Sequence, residues 1–250
     1  MSLLSSALLC VAARGAPPTL RELRMTADTP LAACERCRDG DWLVHTGTLD
    51  VVVGTSHRRD ESFYKFPTAD ALGSLLYLQP SGTAMRGDIM LGTPYLRVGN
   101  TTRHVAYERI DKRQSGDALT ITAQGAGRGA RGEQLRFASQ YTFSADSARI
   151  DVSLQVTNSG PRPVRDLVYS LYFDPHQIYD FSPADDAAHA GLAFRGYPRE
   201  GRLIGWLDRT ARLSNDYNHS GWDGGMILPD PVAVSLAPGA SNTRNYTLFA

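Results

Sequence analysis

Lysine is nearly absent from this chain. Lys65 and Lys112 are the two it has, so arginine supplies almost all of its 26 basic residues. We read that as a bias of composition before any recognition of phosphate. An excess of either charge is also lacking, because 26 acidic residues bring the formal net charge to +0. A balanced chain gives no electrostatic case for nucleic acid or an anionic membrane surface as its main partner. No apolar run approaches the ~20 residues of a membrane-spanning helix. The G-x-S-x-G elbow, the H-E-x-x-H zinc motif and the P-loop are all missing, which leaves the common hydrolase, metalloprotease and NTPase routes unsupported. The six histidines, His45, His57, His104, His176, His189 and His219, stand at no metal-ligand spacing from one another. No metal and no organic cofactor is expected.

Cysteine is scarce too. Cys10 lies in the N-terminal stretch, and Cys34 and Cys37 form a Cys-x-x-Cys pair. One pair cannot complete a four-ligand zinc site, no His follows Cys37 as c-type haem attachment requires, and a thioredoxin-like βαβ context is lacking. The pair therefore reads as a local disulfide, or as two unpaired thiols, near the N-terminus. Residues 1–16, MSLLSSALLCVAARGA, carry an apolar run from Leu3 to Ala13 and small residues at Gly15 and Ala16. That is the pattern of a secretory leader, without its usual positive start. A secreted or periplasmic protein is the expectation. Residues 17–40 read as an N-terminal linker with a short helix around Leu20 to Met25, and residues 41–250 as one domain.

What the chain has in quantity is short extended segments. In Arg149 to Thr157, Ile150, Val152, Leu154 and Val156 alternate with polar residues, the period of two expected of a strand buried on one face. Asn158-Ser159-Gly160 supplies turn chemistry, and Pro161 and Pro163 keep the next residues out of a helix. From Leu167 to Phe173 a second run is apolar on one face and partly so on the other, as suits a strand covered on both sides. Trp42 to His45 and Leu49 to Val53 read as a hairpin around Thr46-Gly47. Further strands are expected at Leu72 to Gln79, Ile89 to Leu91, Tyr95 to Val98, Val105 to Ile110, Leu119 to Ala123 and Leu135 to Phe143. Residues 176–202 and Arg209 to Gly225 read as loop, with one helical turn around Asp185 to Ala188. Leu203 to Leu207, Met226 to Leu228, Val232 to Leu236 and Asn245 to Phe249 close the chain. Roughly a dozen short strands with turn signals every ~8–12 residues and no long helix predict an all-β fold, a single large antiparallel β-sandwich.

Several short motifs dissolve in that context. Gly127-Arg128-Gly129-Ala130-Arg131-Gly132 matches G-x-G-x-x-G, but a strand follows it where the dinucleotide fingerprint needs a helix, so it is a hairpin loop. Arg86-Gly87-Asp88 spells an adhesion tripeptide that runs straight into a strand. Asn100, Asn218 and Asn245 head glycosylation sequons, the last inside a strand. Trp206, flanked by Ile204 and Leu207, is expected in the core. Trp222 with Asp223, in a polar loop, suits the face of a sugar ring.

Two segments together resemble a known family. Tyr141 to Phe173 (YTFSADSARIDVSLQVTNSGPRPVRDLVYSLYF) is similar to the middle of galactose mutarotases (aldose 1-epimerases), where a strand ends in Thr-Asn, a proline turn comes next and the following strand finishes His-Pro-Tyr-Phe. Pro229 to Phe249 (PDPVAVSLAPGASNTRNYTLF) resembles that family's ending. The resemblance implies a mutarotase-like sandwich able to hold carbohydrate on the concave face of a sheet. Mutarotases use a His as general acid and a Glu as general base. The His-Pro-Tyr-Phe position is Ser170-Leu171-Tyr172-Phe173 here, and the Glu position falls at Gly224 and Gly225, so ordinary mutarotation is not implied.

The resulting expectation is an exported protein that binds a saccharide or glycan, without nucleic acid or a membrane span. Tyr169, Ser170 and Tyr172 would line its site with the loop residues His57, Arg58, Asp174, His176, Trp222 and Asp223. Two rivals remain: a structural or protein-interaction sandwich with no small-molecule site, and a sugar-active enzyme using Asp174 or Asp180 with His176.

Overall fold

The computed structural model describes residues 15–25, 34, 36–58, 70–82, 88–98, 101–129, 131–174, 182–183, 191–197, 202–208, 211, 213–216, 226–229 and 232–250. Among these the regular structure is all strand, paired antiparallel in two large sheets. The larger sheet runs in the order β1 (Thr19–Glu22), β2 (Trp42–His45), β3 (Leu49–Val53), β4 (Leu75–Pro80), β5 (Asp88–Val98), β11 (Val164–Asp174), β16 (Met226–Pro229), β15 (Leu213–Asp216). β6 (Thr101–His104) adds to β5, and β17 (Val234–Leu236) adds to β11. The other sheet runs β12 (Ser182–Pro183), β13 (Leu192–Tyr197), β14 (Arg202–Asp208), β18 (Ser241–Phe249), β10 (Arg149–Asn158), β9 (Gln134–Ser144), β8 (Ala118–Arg128), β7 (Tyr107–Ser115). The expected all-β sandwich is what forms.

The alternation along β8, β9 and β10 decides which face is inside. Leu119, Ile121, Leu135, Phe137, Tyr141, Phe143, Ile150, Val152, Leu154 and Val156 are all buried, and residues between them, such as Arg136 and Gln155, are exposed. They pack against Val51, Val53, Leu75, Leu78, Leu96, Tyr169 and Leu171 of the facing sheet in one continuous core. Each such side chain contributes about 1.5–3 kcal/mol by leaving water. Trp206 is fully buried in this core, as its flanks predict.

The turn after β10 does not close a hairpin. β10 belongs to the smaller sheet and β11 to the larger, so Asn158 to Pro163 carries the chain from one layer to the other. Asn158 is itself fully buried. Its amide donates to the carbonyls of Arg162 (2.8 Å) and Leu236 (3.1 Å), and its side-chain oxygen accepts from the Gly160 N–H at 3.1 Å. One side chain thus satisfies three backbone groups where the sheets meet.

Some expectations need correction. The helix around Leu20 to Met25 is not there; Thr19 to Glu22 is a strand paired to β2, so this part of the 17–40 segment continues the sheet. Ile89 to Leu91 and Tyr95 to Val98 are one strand, β5. β13 and β15 lie where loop was expected, each held by an antiparallel neighbour rather than by an apolar pattern of its own. The helical turn expected at 185–188 lies outside the described residues.

The outer side of the larger sheet is also covered over β2 to β5. Leu43, Val52, Leu76, Tyr77 and Tyr95 pack there with Leu23, Cys34, Cys37 and Ala71. Cys34 and Cys37 are joined as a disulfide, and both are buried. This portion of the sheet is filled by the protein's own side chains.

Candidate functional site

After β6 the chain leaves the larger sheet and enters the smaller one through Val105 and Ala106. The Val105 N–H is fixed to the Pro94 carbonyl at 2.7 Å. The crossing passes so close to β8 that side chains there would collide with it. A Cβ at Gly125 would stand 2.3 Å from the Ala106 carbonyl oxygen, and one at Gly127 would stand 2.9 Å from the Val105 side chain and 3.2 Å from the Phe137 ring. Glycine at both positions lets the two sheets be joined here.

Beside this crossing is an open cleft of about 340 Å³, within the ~300–1,000 Å³ usual for small-molecule sites. Leu96, Val105, Ala126 and Gly127 give it an apolar lining, and His57, Arg103, His104, Glu108 and Arg128 give it polar groups. Arg103 and Arg128 are exposed at its rim. Tyr107 contributes its ring only: its hydroxyl is buried on the Gly92 carbonyl (3.2 Å) and the Ser139 hydroxyl. Burial drives the Tyr107 phenol well above its ordinary value, so it is no base for a ligand.

The two histidines differ. The His57 Nδ1 is 2.7 Å from Asp70, whose other carboxylate oxygen accepts the backbone N–H groups of Arg58 and Leu72, both at 3.1 Å. The His57 ring is 58% exposed while Asp70 is 14% exposed. A carboxylate anchored on two amides therefore fixes one imidazole nitrogen and leaves the other for the cleft. His104 is mostly buried, with the Thr93 hydroxyl 3.4 Å from its Nδ1. Desolvation lowers its pKa from 6.5 to about 4, so it is a neutral hydrogen-bonding group at pH 7.

Of the residues expected at a site, His57 is in this cleft and Arg58 is turned away from it. The Arg58 guanidinium grips the buried Asp41 with both prongs, at 3.0 and 2.5 Å, and also donates to the Arg36 carbonyl. Tyr172 and Asp174 stand on β11 towards β16, away from the Leu96 end of the ladder, and their side chains are outside the described set. His176, Asp180, Trp222 and Asp223 also lie outside the described residues, as do Gly224 and Gly225. Tyr169 is a core residue whose hydroxyl donates to Asn242 at 2.6 Å.

Ser170, which the sequence resemblance sets against the mutarotase acid, is fully buried, with its hydroxyl 3.0 Å from that of Tyr246. Around it lie Tyr95, whose phenol burial pushes up to about 12, and an interior ion pair. In that pair Arg244 donates to Asp208 at 2.8 Å and to the Tyr169 carbonyl at 3.1 Å. The two side chains are 6% and 0% exposed. The Tyr246 ring lies under the Arg244 guanidinium and packs edge-on against Trp206. Among the described residues these groups form one buried polar cluster.

Nothing in the sequence marks Arg103, Glu108 and Arg128 as neighbours at one cleft. The cleft is assembled from segments around residues 57, 96, 103–108 and 126–128, so no local motif announces it.

No family model matches the chain, and no curated protein matches it in sequence. Solved structures do. A TPR-domain containing protein from Parabacteroides distasonis aligns over 84% of this chain with a TM-score of 0.53 and 9% identity; the chain spans 46% of that protein's length. Two putative aldose 1-epimerases, of the family the sequence resembles, also align. The one from Klebsiella pneumoniae has a TM-score of 0.46 and 10% identity over 93% of this chain and 87% of its own. That from Escherichia coli K12 has a TM-score of 0.45 and 14% identity over 84% and 98%. The 0.53 match shows shared fold alone, and the two scores below 0.5 assign no residue of this chain a catalytic role.

Proposed function

We propose that the chain is an exported saccharide-binding β-sandwich protein without aldose epimerase activity, and that its site is the cleft beside the Val105–Ala106 crossing. The observation that carries this reading is the cleft itself: an aliphatic floor, suited to the C–H face of a sugar ring, rimmed by side chains that donate and accept hydrogen bonds. The two mutarotase-like segments are consistent with it. Export is supported by the leader-like first 16 residues and by a disulfide of a kind that persists in oxidising compartments. Loss of epimerase chemistry is supported by Ser170, whose hydroxyl does not titrate near neutral pH and lies inside the fold.

The test is a saccharide panel read by calorimetry or array, on the intact chain and on Ala126→Trp, which fills the cleft from an exposed position. At least one saccharide should bind, and the Trp variant should bind it at least about tenfold more weakly. A folded chain that binds no saccharide overturns the reading and favours an interaction module. Polarimetry should show no acceleration of aldose mutarotation.

One observation favours a second reading. His57, held by Asp70, shares the cleft with Glu108, and a fixed imidazole with a carboxylate is a general acid/base set. A sugar-active enzyme would then lose turnover in His57→Gln and Glu108→Gln while still binding its substrate.

A further inference from the structure

The cleft carries cations that the described protein groups do not neutralise. Among the described residues Arg103 and Arg128 make no side-chain hydrogen bond or ion pair, and both are exposed. Other arginines of the described set are divided: Arg58 is engaged by Asp41, Arg244 by Asp208 and Arg109 by Gln124, while Arg113 and Arg165 are exposed on β7 and β11. Arg136 is not part of the lining, but it stands opposite Ala126 in the β8–β9 register and so projects from the same face of the sheet. Among the described residues Glu108 is the one carboxylate of the lining, and His104 stays neutral above about pH 4. In a chain whose net charge is +0, a cationic cleft is a local arrangement and not a result of overall basicity.

Resting on the saccharide reading of the same cleft, we propose that its ligands are acidic saccharides, with a uronate carboxylate or sulfate ester taken by Arg103 and Arg128. A guanidinium presents a planar fork that matches such oxyanions with two parallel hydrogen bonds, and the aliphatic floor takes the ring that carries the anion. A nucleic acid is disfavoured: the tyrosine of the lining, Tyr107, is fully buried and offers no platform for a stacked base.

Calorimetry of the full chain with oligogalacturonate against its methyl ester, and with dextran sulfate against dextran, tests this; the two pairs separate carboxylate from sulfate. In at least one pair the acidic member should bind about tenfold or more tightly at moderate salt, the effect of one or two charge-assisted hydrogen bonds. Arg103→Ala and Arg128→Ala should bring that ratio towards 1, Arg→Lys variants should restore part of it, and unchanged melting curves should show that the fold is intact. Equal binding of acidic and neutral members, insensitive to the arginines, overturns this inference and leaves the saccharide reading standing. No binding to any saccharide overturns both. Single-stranded DNA binding as tightly as the acidic saccharides shows a site for polyanions in general and overturns the acidic-sugar assignment.

Discussion

Arginine serves two opposite ends in this molecule. Arg244 lies between the sheets, 6% exposed, against an Asp208 that is fully buried. Arg103 and Arg128 stand in the open at a cleft and pair with no carboxylate among the described residues. Burial makes the first a matter of stability: two charges removed from water are tolerated only because each meets the other, and removing one strands its partner. Exposure makes the second pair nearly irrelevant to stability, since water solvates the guanidinium groups as well as a protein partner would. The difference separates residues that hold the fold from residues free to recognise something.

The largest effect that would break this contrast is at the interior pair. Asp208→Ala should cost about 3–5 kcal/mol in denaturant unfolding, because it leaves Arg244 buried and uncompensated. Adding Arg244→Met should recover much of that loss, since an apolar pair of similar volume is often neutral there. If Asp208→Ala were as mild as Arg103→Ala, the interior and the cleft would not differ as argued.

Acid should expose the next effect. The folded pKa of His104 is about 4 against 6.5 for an ordinary imidazole, so between those values the unfolded chain binds the extra proton. Stability is then unaffected by this group above pH 6.5 and falls as pH drops towards 4, by about 3 kcal/mol in all. A His104→Gln variant should show a shallower decline between pH 7 and 4 than the parent in denaturant titrations.

Gly125→Ala should come next at about 1–3 kcal/mol, because its methyl group meets the Ala106 carbonyl at 2.3 Å and backbone must move. The smallest change is at the rim: Arg103→Ala and Arg128→Ala should each stay within about 0.5 kcal/mol of the parent in thermal or denaturant melts.

The layers of the fold were legible and the cleft was not, and the residues show why. Ile150 to Val156 alternate because one face must be dry, and that demand is written locally. So is the turn chemistry at Asn158, although nothing local says that it leads to the opposite sheet rather than back to the same one. β13 (LAFRGY) and β15 (LSND) carry little of that pattern; neighbouring strands recruit them through backbone hydrogen bonds, which any sequence can make. Of two adjacent polar residues in one segment, His57 lines the cleft while Arg58 turns inward to Asp41, and nothing local distinguishes them. Arg103 on β6 and Arg128 on β8 come to line one cleft only after the sheets have been stacked. One signal was available: Arg244 occupies an inward position in step with Tyr246 and Leu248 on β18, and a charge there calls for an opposite charge elsewhere.

The close passage of residues 105–107 over Gly125 and Gly127 bears on how such a site can diversify. The distance between its walls is set where two backbones touch, so widening or narrowing it would mean re-docking one layer on the other. The groups along its rim meet no such constraint. Chains sharing this seam could exchange the polar groups along the rim by surface replacements alone, while the bore of the opening stayed the same.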